Sequence, residues 1–336
     1  NAANSGDTVY VAVGTYYENV EFSKSLALIG AGIQQTIIDA GFNGVGIGAT
    51  GNGINVRVEG FSVRHASSGH AAIFVNGNFY NASVFANILN NEVYDNTITG
   101  IFIVNDHNGT SYIENNLVRN CANGLNSYAG TYYFVNNTVI NNQYNGYNGF
   151  SGSGNKIFHN NIIVGNGQYG ITDEFNTTIN SYYNNIWGNG SGSWRFRDGQ
   201  NNTISTQPNS SVGDISIDPQ FVSATDFNIT SSSPCIDAGD PSATYNDPDG
   251  TRNDMGYRYY SQGPIINPNN NIIFPSIVCT SKLWSTGETT SSISAKPSVT
   301  ATYTVNVIGG NTTCQDSVII TVQPLPNLDL SKYDTE

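Results

Sequence analysis

The sequence predicts an all-β chain: a solenoid of short parallel strands, a parallel β-helix, followed by a small second β module. Three observations predict it. An asparagine doublet returns at Asn90-Asn91, Asn115-Asn116, Asn136-Asn137, Asn160-Asn161 and Asn184-Asn185, in steps of 25, 21, 24 and 24 residues, and a near-fixed period in that range signals a solenoid. Each doublet opens a repeated phrase: NNEVYDNTITGIFI, NNLVRNCANGLNSY, NNTVINNQYNGYNGF, NNIIVGNGQYGITD and NNIWGNGSGSW. No stretch carries a long helical stripe, whereas apolar runs of three or four residues alternate with Asn and Gly, as short strands joined by tight turns do.

Within each phrase a β-branched or aromatic residue follows the doublet (Val93, Val118, Val139, Ile163, Trp187), then another Asn (Asn96, Asn120, Asn142, Asn166, Asn189). A Gly closes the first four units (Gly100, Gly124, Gly146, Gly170). Asn and Gly tolerate positive φ and belong at such corners. Stacked turns place like residues above one another, so a buried Asn can donate to one neighbour and accept from the other. The Asn pattern is therefore read as turn chemistry and ladders rather than a ligand site. Upstream, TVYVAVGTYYENVEF alternates as a half-buried strand does, and SLALIGAGIQQTIIDA and GINVRVEGFSVRHA continue the pattern more loosely.

The segments SGDTVYVAVGTYYENV, TIIDAG and SPCIDAGDPSATYNDPDGTRNDMG (residues 233–256) resemble secreted bacterial proteins of the pectate-lyase-like superfamily, over roughly residues 1–262. The resemblance implies a right-handed coil and a closing segment. It is weak for function, because that superfamily holds lyases, hydrolases, esterases, adhesins and tail spikes.

The net charge of −13, with 12 Lys and Arg, disfavours nucleic acid and anionic membrane surfaces as partners. No 18-residue apolar run exists to span a membrane. An acidic chain rich in Asn, Gly, Ser, Thr and Tyr suits a secreted or surface-attached setting. Asn1 opens in mid-phrase, so the chain reads as a mature or trimmed piece of a longer precursor.

Pro264, Pro268 and the Asn run that follows mark a linker over 263–272. Residues 273–323 alternate as short strands around Cys279, Trp284 and Cys314, and 324–336 form a tail. A Cys…Trp…Cys arrangement suits a small sandwich stapled by a Cys279–Cys314 disulfide. The stretch LWSTGETTSSISAKPSVTATYTVNV resembles Ig-like modules of surface and secreted proteins of Bacteroidetes. That likeness implies export by the type IX route. Asp7-Thr8-Val9 and Asp316-Ser317-Val318 resemble that phylum's O-glycosylation sites, at Thr8 and Ser317. Cys121 and Cys235 read as small buried side chains, with a Cys121–Cys235 bridge as the alternative.

A lyase on this fold needs a base and a cation beside a uronate, and a hydrolase needs facing carboxylates. The catalytic candidates are Asp95, Arg119, Lys156 and Asp173. Asp95 and Arg119 follow their doublets at similar offsets and are expected on adjacent turns, where a surface ion pair is the plainer account. Lys156 and His159 read as solvated, and Asp173-Glu174 as an acidic pair in a loop. For carbohydrate, Tyr94, Tyr133, Tyr147 and Tyr169 are candidates for an aromatic strip, against core filling. In WRFRDG, Trp194, Arg195 and Arg197 offer stacking and forked hydrogen bonds, against a loop packed on the last turns. Asp247, Asp249 and Asp254 stand at calcium-like spacing, against carboxylates that merely bond turn amides. The expectation is an extracellular attachment or binding protein, its partner a polysaccharide or neighbouring surface subunits. The alternatives are a polysaccharide lyase or glycoside hydrolase, and a structural filament or surface-layer subunit.

Overall fold

The computed structural model describes residues 3–77, 83–105, 109–150, 153–175, 177–200 and 202–262, with backbone strands in the C-terminal part. The chain divides into two units, Asn1–Gln262 and Gly263–Glu336. The first is a parallel β-solenoid of three sheets, with nine, eight and nine strands. One turn shows the plan: Phe85–Leu89 lies in the first sheet, Glu92–Tyr94 in the second and Thr99–Val104 in the third. Each pairs in parallel with the strand one turn before and after. Thr203–Ser205 departs from this, pairing antiparallel with Gly192–Arg197 at the end of the third sheet.

Two residues separate the first and second sheets, and the doublets supply them. The first asparagine turns the corner in the left-handed region: φ is 53° at Asn90, 55° at Asn115, 50° at Asn136 and 57° at Asn160. Asn bears that conformation at little strain. The second asparagine points inward and builds a column. Asn91 donates from its backbone N and Nδ2 to Asn116 Oδ1 at 3.0 and 3.1 Å. The same double bond joins Asn116 to Asn137, Asn137 to Asn161 and Asn161 to Asn184. Phe61 N donates to Asn91 at the upstream end. Asp214 Oδ1 accepts at the downstream end, from Asn184 N at 2.8 Å and Nδ2 at 3.1 Å. A carboxylate suits that terminus because the last member only has to accept.

The fifth doublet is one residue out of step with the other four. Tyr183 takes its corner at φ 55°, and Asn184 the column place. Ile186, rather than Trp187, therefore continues the inward row after Ile163, and Trp187 faces out at 39% exposure. A second column follows the second sheet. Asn142, Asn166 and Asn189 belong to it as expected, but Asn120 is a corner residue at φ 52°. Cys121 takes the column place instead, accepting from Asn96 Nδ2 at 3.5 Å and donating its N–H to Asn142 Oδ1. Burial pushes its thiol up to about 12. Cys121 and Cys235 are both free and buried, so the bridge weighed between them does not form.

The closing glycines are required by space, not by φ, since none of the four has positive φ. A Cβ at Gly146 would stand 2.5 Å from Ile163 Cγ2 and 2.6 Å from the carbonyl oxygen of Gly170. Inside the coil, a continuous apolar core runs from Leu28 to Phe196.

Residues 215–260 strap the outer face of the second sheet. Phe227, Ile229, Cys235 and Met255 cover the outward side chains Leu117, Ile140, Ile162 and Val164. Corner asparagines grip the strap: Asn136 Nδ2 donates to Asn253 Oδ1, Asp254 O and Gly256 O, and Asn160 Oδ1 accepts from Asp240 N.

In the C-terminal unit, Ser281–Trp284, Ala301–Gly309 and Thr312–Ile320 form an antiparallel sheet, and Ile265–Ile266 pairs with Ile272–Ile273. Cys279 lies outside the described residues, as do the side chains of Trp284, Cys314 and Ser317. Thr8 is exposed at the start of Thr8–Val11. Among the described residues no helix is long and apolar enough to cross a membrane.

Candidate functional site

The third sheet carries the most distinctive outward row, and most of it is buried beneath neighbouring side chains: Phe74 and Phe102 are 8% exposed and Thr172 0%. Its inward row is Ile73, Ile101, Leu125, Tyr147, Ile171 and Trp194. Strand alternation turns the next residue of each strand outward: Phe74, Phe102, Asn126, Asn148, Thr172 and Arg195. At strand spacing, this row runs for about 24 Å. Its upstream end is aromatic. Phe74 and Phe102 lie 5.7 Å apart, with Phe150 and the exposed His70 beside them. Two asparagines follow, and both are buried. Asn126 Nδ2 donates to Thr99 Oγ1 at 2.9 Å, but the Oδ1 atoms of Asn126 and Asn148 have no hydrogen-bond partner among the described residues. Both oxygens are shut off from solvent, so a donor from outside reaches them only when the covering side chains move.

The downstream end is charged. Arg195 lies 4.6 Å over the Tyr169 ring, and its Nε donates to Thr172 Oγ1 at 3.1 Å. Arg195 and Arg197 both reach Glu174, at 3.0 and 3.1 Å. WRFR is thus a strand, Gly192–Arg197, rather than a loop: alternation sends Trp194 and Phe196 to the core and Arg195 and Arg197 outward.

The other candidates are placed elsewhere. Tyr147 is fully buried inside the coil, its OH 2.7 Å from Ser127 Oγ. Tyr133 lies on the outer face of the first sheet, stacked 5.0 Å from Tyr112. Tyr94 lies on the second sheet beneath the Arg119 guanidinium, at 4.3 Å. The proposed tyrosines therefore occupy three faces and the lumen and do not make one strip.

Asp95 and Arg119 do come together, at 3.7 Å, although the register sets Arg119 against Tyr94. Arg119's nearer partner is Glu92, at 2.9 Å and almost wholly buried, which the sequence reading missed. Asp95 also accepts from Asn120 Nδ2 at 2.9 Å.

Lys156 and Asp173 are inside the coil, not solvated or in a loop. The parity of Asn155–His159 sends Lys156 and Phe158 inward. Lys156 Nζ donates to the carbonyls of Gly130 and Ser153 at 3.0 Å and Ala129 at 3.3 Å. Burial lowers its pKa to about 8, with Asp173 opposing the shift. Asp173 accepts from Phe175 N and Thr177 N, at 3.0 and 2.9 Å, and from Thr177 Oγ1. It thereby holds the turn that presents Glu174. His159, 8% exposed, bonds Asp240 of the strap at 2.8 Å and so is not solvated.

Asp247, Asp249 and Asp254 are buried together in the strap. Asp247 accepts from Asp254 N, Asp254 from Asp237 N and Tyr260 N, and Asp249 from Thr251 N and Gln262 N. Among the described residues no group of three His, Cys, Asp or Glu side chains is placed to hold a metal ion. Burial, then the charge of Asp254, raises Asp247 to about 7; burial raises Asp254 to about 6. A carboxyl raised in the fold keeps a proton that the unfolded chain has released. Its contribution is therefore present below about pH 4 and lost as pH rises toward 7. The strap should be measurably less protected from hydrogen exchange at pH 8 than at pH 5, and Asp247→Asn should remove most of that difference. An equal slope in the variant would rule out this pair as its source.

No protein-family model, no curated protein and no solved structure matches the chain.

Proposed function

We propose that this is a secreted or surface-attached binding protein that holds a polysaccharide along the outer face of its third sheet. The observation that carries the reading is the row Phe74, Phe102, Asn126, Asn148, Thr172, Arg195. Phe74, Phe102, Asn126, Asn148 and Thr172 are each no more than 9% exposed, so a sugar must displace the side chains that cover them before aromatic faces stack on its rings, amide oxygens take its hydroxyls and the guanidinium fork binds it. A straight, evenly spaced row matches a straight polymer with a repeating unit better than it matches a compact ligand. In this reading the coil is right-handed and the C-terminal unit is an Ig-like spacer or anchor.

Retention of the full chain on a panel of immobilised polysaccharides, acidic ones first, with and without calcium, tests this. At least one glycan should retain it, and Arg195→Ala and Asn148→Ala should each weaken retention about tenfold. Tyr133→Ala, on a different face, should not. Retention by no member of the panel, or equal retention of all three variants, would exclude the third-sheet face as the binding surface.

A further inference from the structure

A cavity of about 310 Å³ lies between the outer face of the second sheet and the strap. It opens where the strap's apolar cover ends. Downstream of it, Ile140, Ile162 and Val164 are covered by strap side chains. One turn upstream of Leu117 the register puts Glu92 instead, and a charged side chain there leaves nothing for an apolar strap to cover. Glu92 is nonetheless only 2% exposed. Its Oε1 is held by Arg119 Nε and Nη2 at 3.1 and 2.9 Å, while Oε2 has, among the described residues, only Ser62 Oγ, at 3.5 Å. A buried carboxylate oxygen with so weak a partner is an acceptor in reserve.

The strap brings matching chemistry to the same cavity. Asp226 accepts from Asn228 N at 3.0 Å and Asn228 Nδ2 at 2.7 Å through Oδ1, leaving Oδ2 without a bond among the described residues. Tyr257 supplies an aromatic ring, with the Arg258 guanidinium 5.2 Å over it and in no ion pair among the described residues. Leu117 adds an apolar patch. The charges balance: carboxylates Glu92 and Asp226 stand against guanidiniums Arg119 and Arg258. A strongly charged ligand gains nothing from such a lining, and an apolar one would strand its polar groups. A ring with several hydroxyls and one apolar face suits it. The hydroxyls can donate to Glu92 Oε2 and Asp226 Oδ2 and accept from Arg258, while the ring face meets Tyr257.

We infer that the cavity between the second sheet and the strap binds one small neutral sugar, a single pyranose, separately from the third-sheet face. The volume is at the low end for small-molecule sites, which favours one ring over a chain. The inference stands whether or not the third sheet binds a glycan.

Calorimetric titration of the full chain with glucose, galactose, mannose and N-acetylglucosamine tests it. At least one should bind saturably, at one site per chain. Asp226→Ala should weaken it about tenfold or more, and Thr225→Trp, at an exposed position on the rim, should abolish it. Arg195→Ala should leave it unchanged. Absence of saturable binding by all four sugars overturns the inference. So does equal affinity in the native chain and Thr225→Trp, which decides the matter should Asp226→Ala fail to fold.

Discussion

Replacing Asn137 with alanine is expected to lower the stability of the solenoid by about 4 kcal/mol, among the largest effects of any single side chain. Asn137 stands mid-column. Its Oδ1 accepts from Asn116 N and Nδ2, both at 3.0 Å, and its Nδ2 donates to Ile113 O at 2.7 Å and Asn161 Oδ1 at 3.0 Å. Alanine would leave the N–H of Asn116 without its partner and take the amide donor from the Ile113 carbonyl, both in the preceding turn and both buried. Each such group costs about 1–3 kcal/mol, far more than the net worth of one bond. Water cannot easily repair the loss, because Asn116, Asn137 and Asn161 are all about 0–1% exposed. The other member of a doublet is the control. Asn115 turns its corner at φ 55°, a conformation glycine adopts freely, so Asn115→Gly should shift stability by less than about 0.5 kcal/mol. Urea unfolding of the two variants separates the accounts. If Asn137→Ala and Asn115→Gly unfold at the same midpoint, the column is not what holds the turns together.

That contrast also shows how far the sequence could be read. Periodicity exposes the solenoid, and the doublets mark where the chain turns. Which Asn of a pair bends and which is buried follows from strand parity, and parity is invisible where two Asn adjoin. The fifth doublet misleads for the same reason: Tyr183 fills the corner and Asn184 slides into the column, so the spacing looks regular while the register has moved. Cys121 hides a column place because a thiol does not look like an amide. Lys156 reads as solvated by composition, and only the inward parity of its strand places it in the core. The third-sheet asparagines did leave a signal. Asn126 and Asn148 each stand two residues after a closing glycine, in GLN and GYN, at the position that alternation turns outward. The strap's contribution was not legible, because Asp226 and Tyr257 meet Glu92 only through long-range packing that no local pattern encodes.

Raising the pH from about 7.5 to about 9.5 should stabilise the native chain relative to Lys156→Met by about 2 kcal/mol. Lys156 is wholly buried, and its pKa is lowered to about 8. A lysine lowered in the fold sheds its proton before the unfolded chain does. Its unfavourable contribution is therefore present in full below pH 8 and relieved as pH climbs toward the ordinary lysine value near 10.4. The absolute stability of the native chain will not show this cleanly. Burial raises the thiols of Cys121 and Cys235 to about 12 and about 11, and groups shifted that way lose stability over the same range. They are common to both proteins, so the difference between the two melting curves isolates the lysine. The ammonium persists at neutral pH because three carbonyl oxygens ring it and Asp173 lies within reach of its charge. Asp173 in turn accepts the amides of Phe175 and Thr177, which fixes the turn carrying Glu174 and, through it, Arg195 and Arg197. Lys156→Met should therefore weaken glycan retention at the charged end of the third-sheet face while leaving sugar binding in the strap cavity intact. A pH-independent gap between the two proteins would show that Lys156 carries no proton penalty, and unaltered retention would sever the interior pair from the surface it underlies.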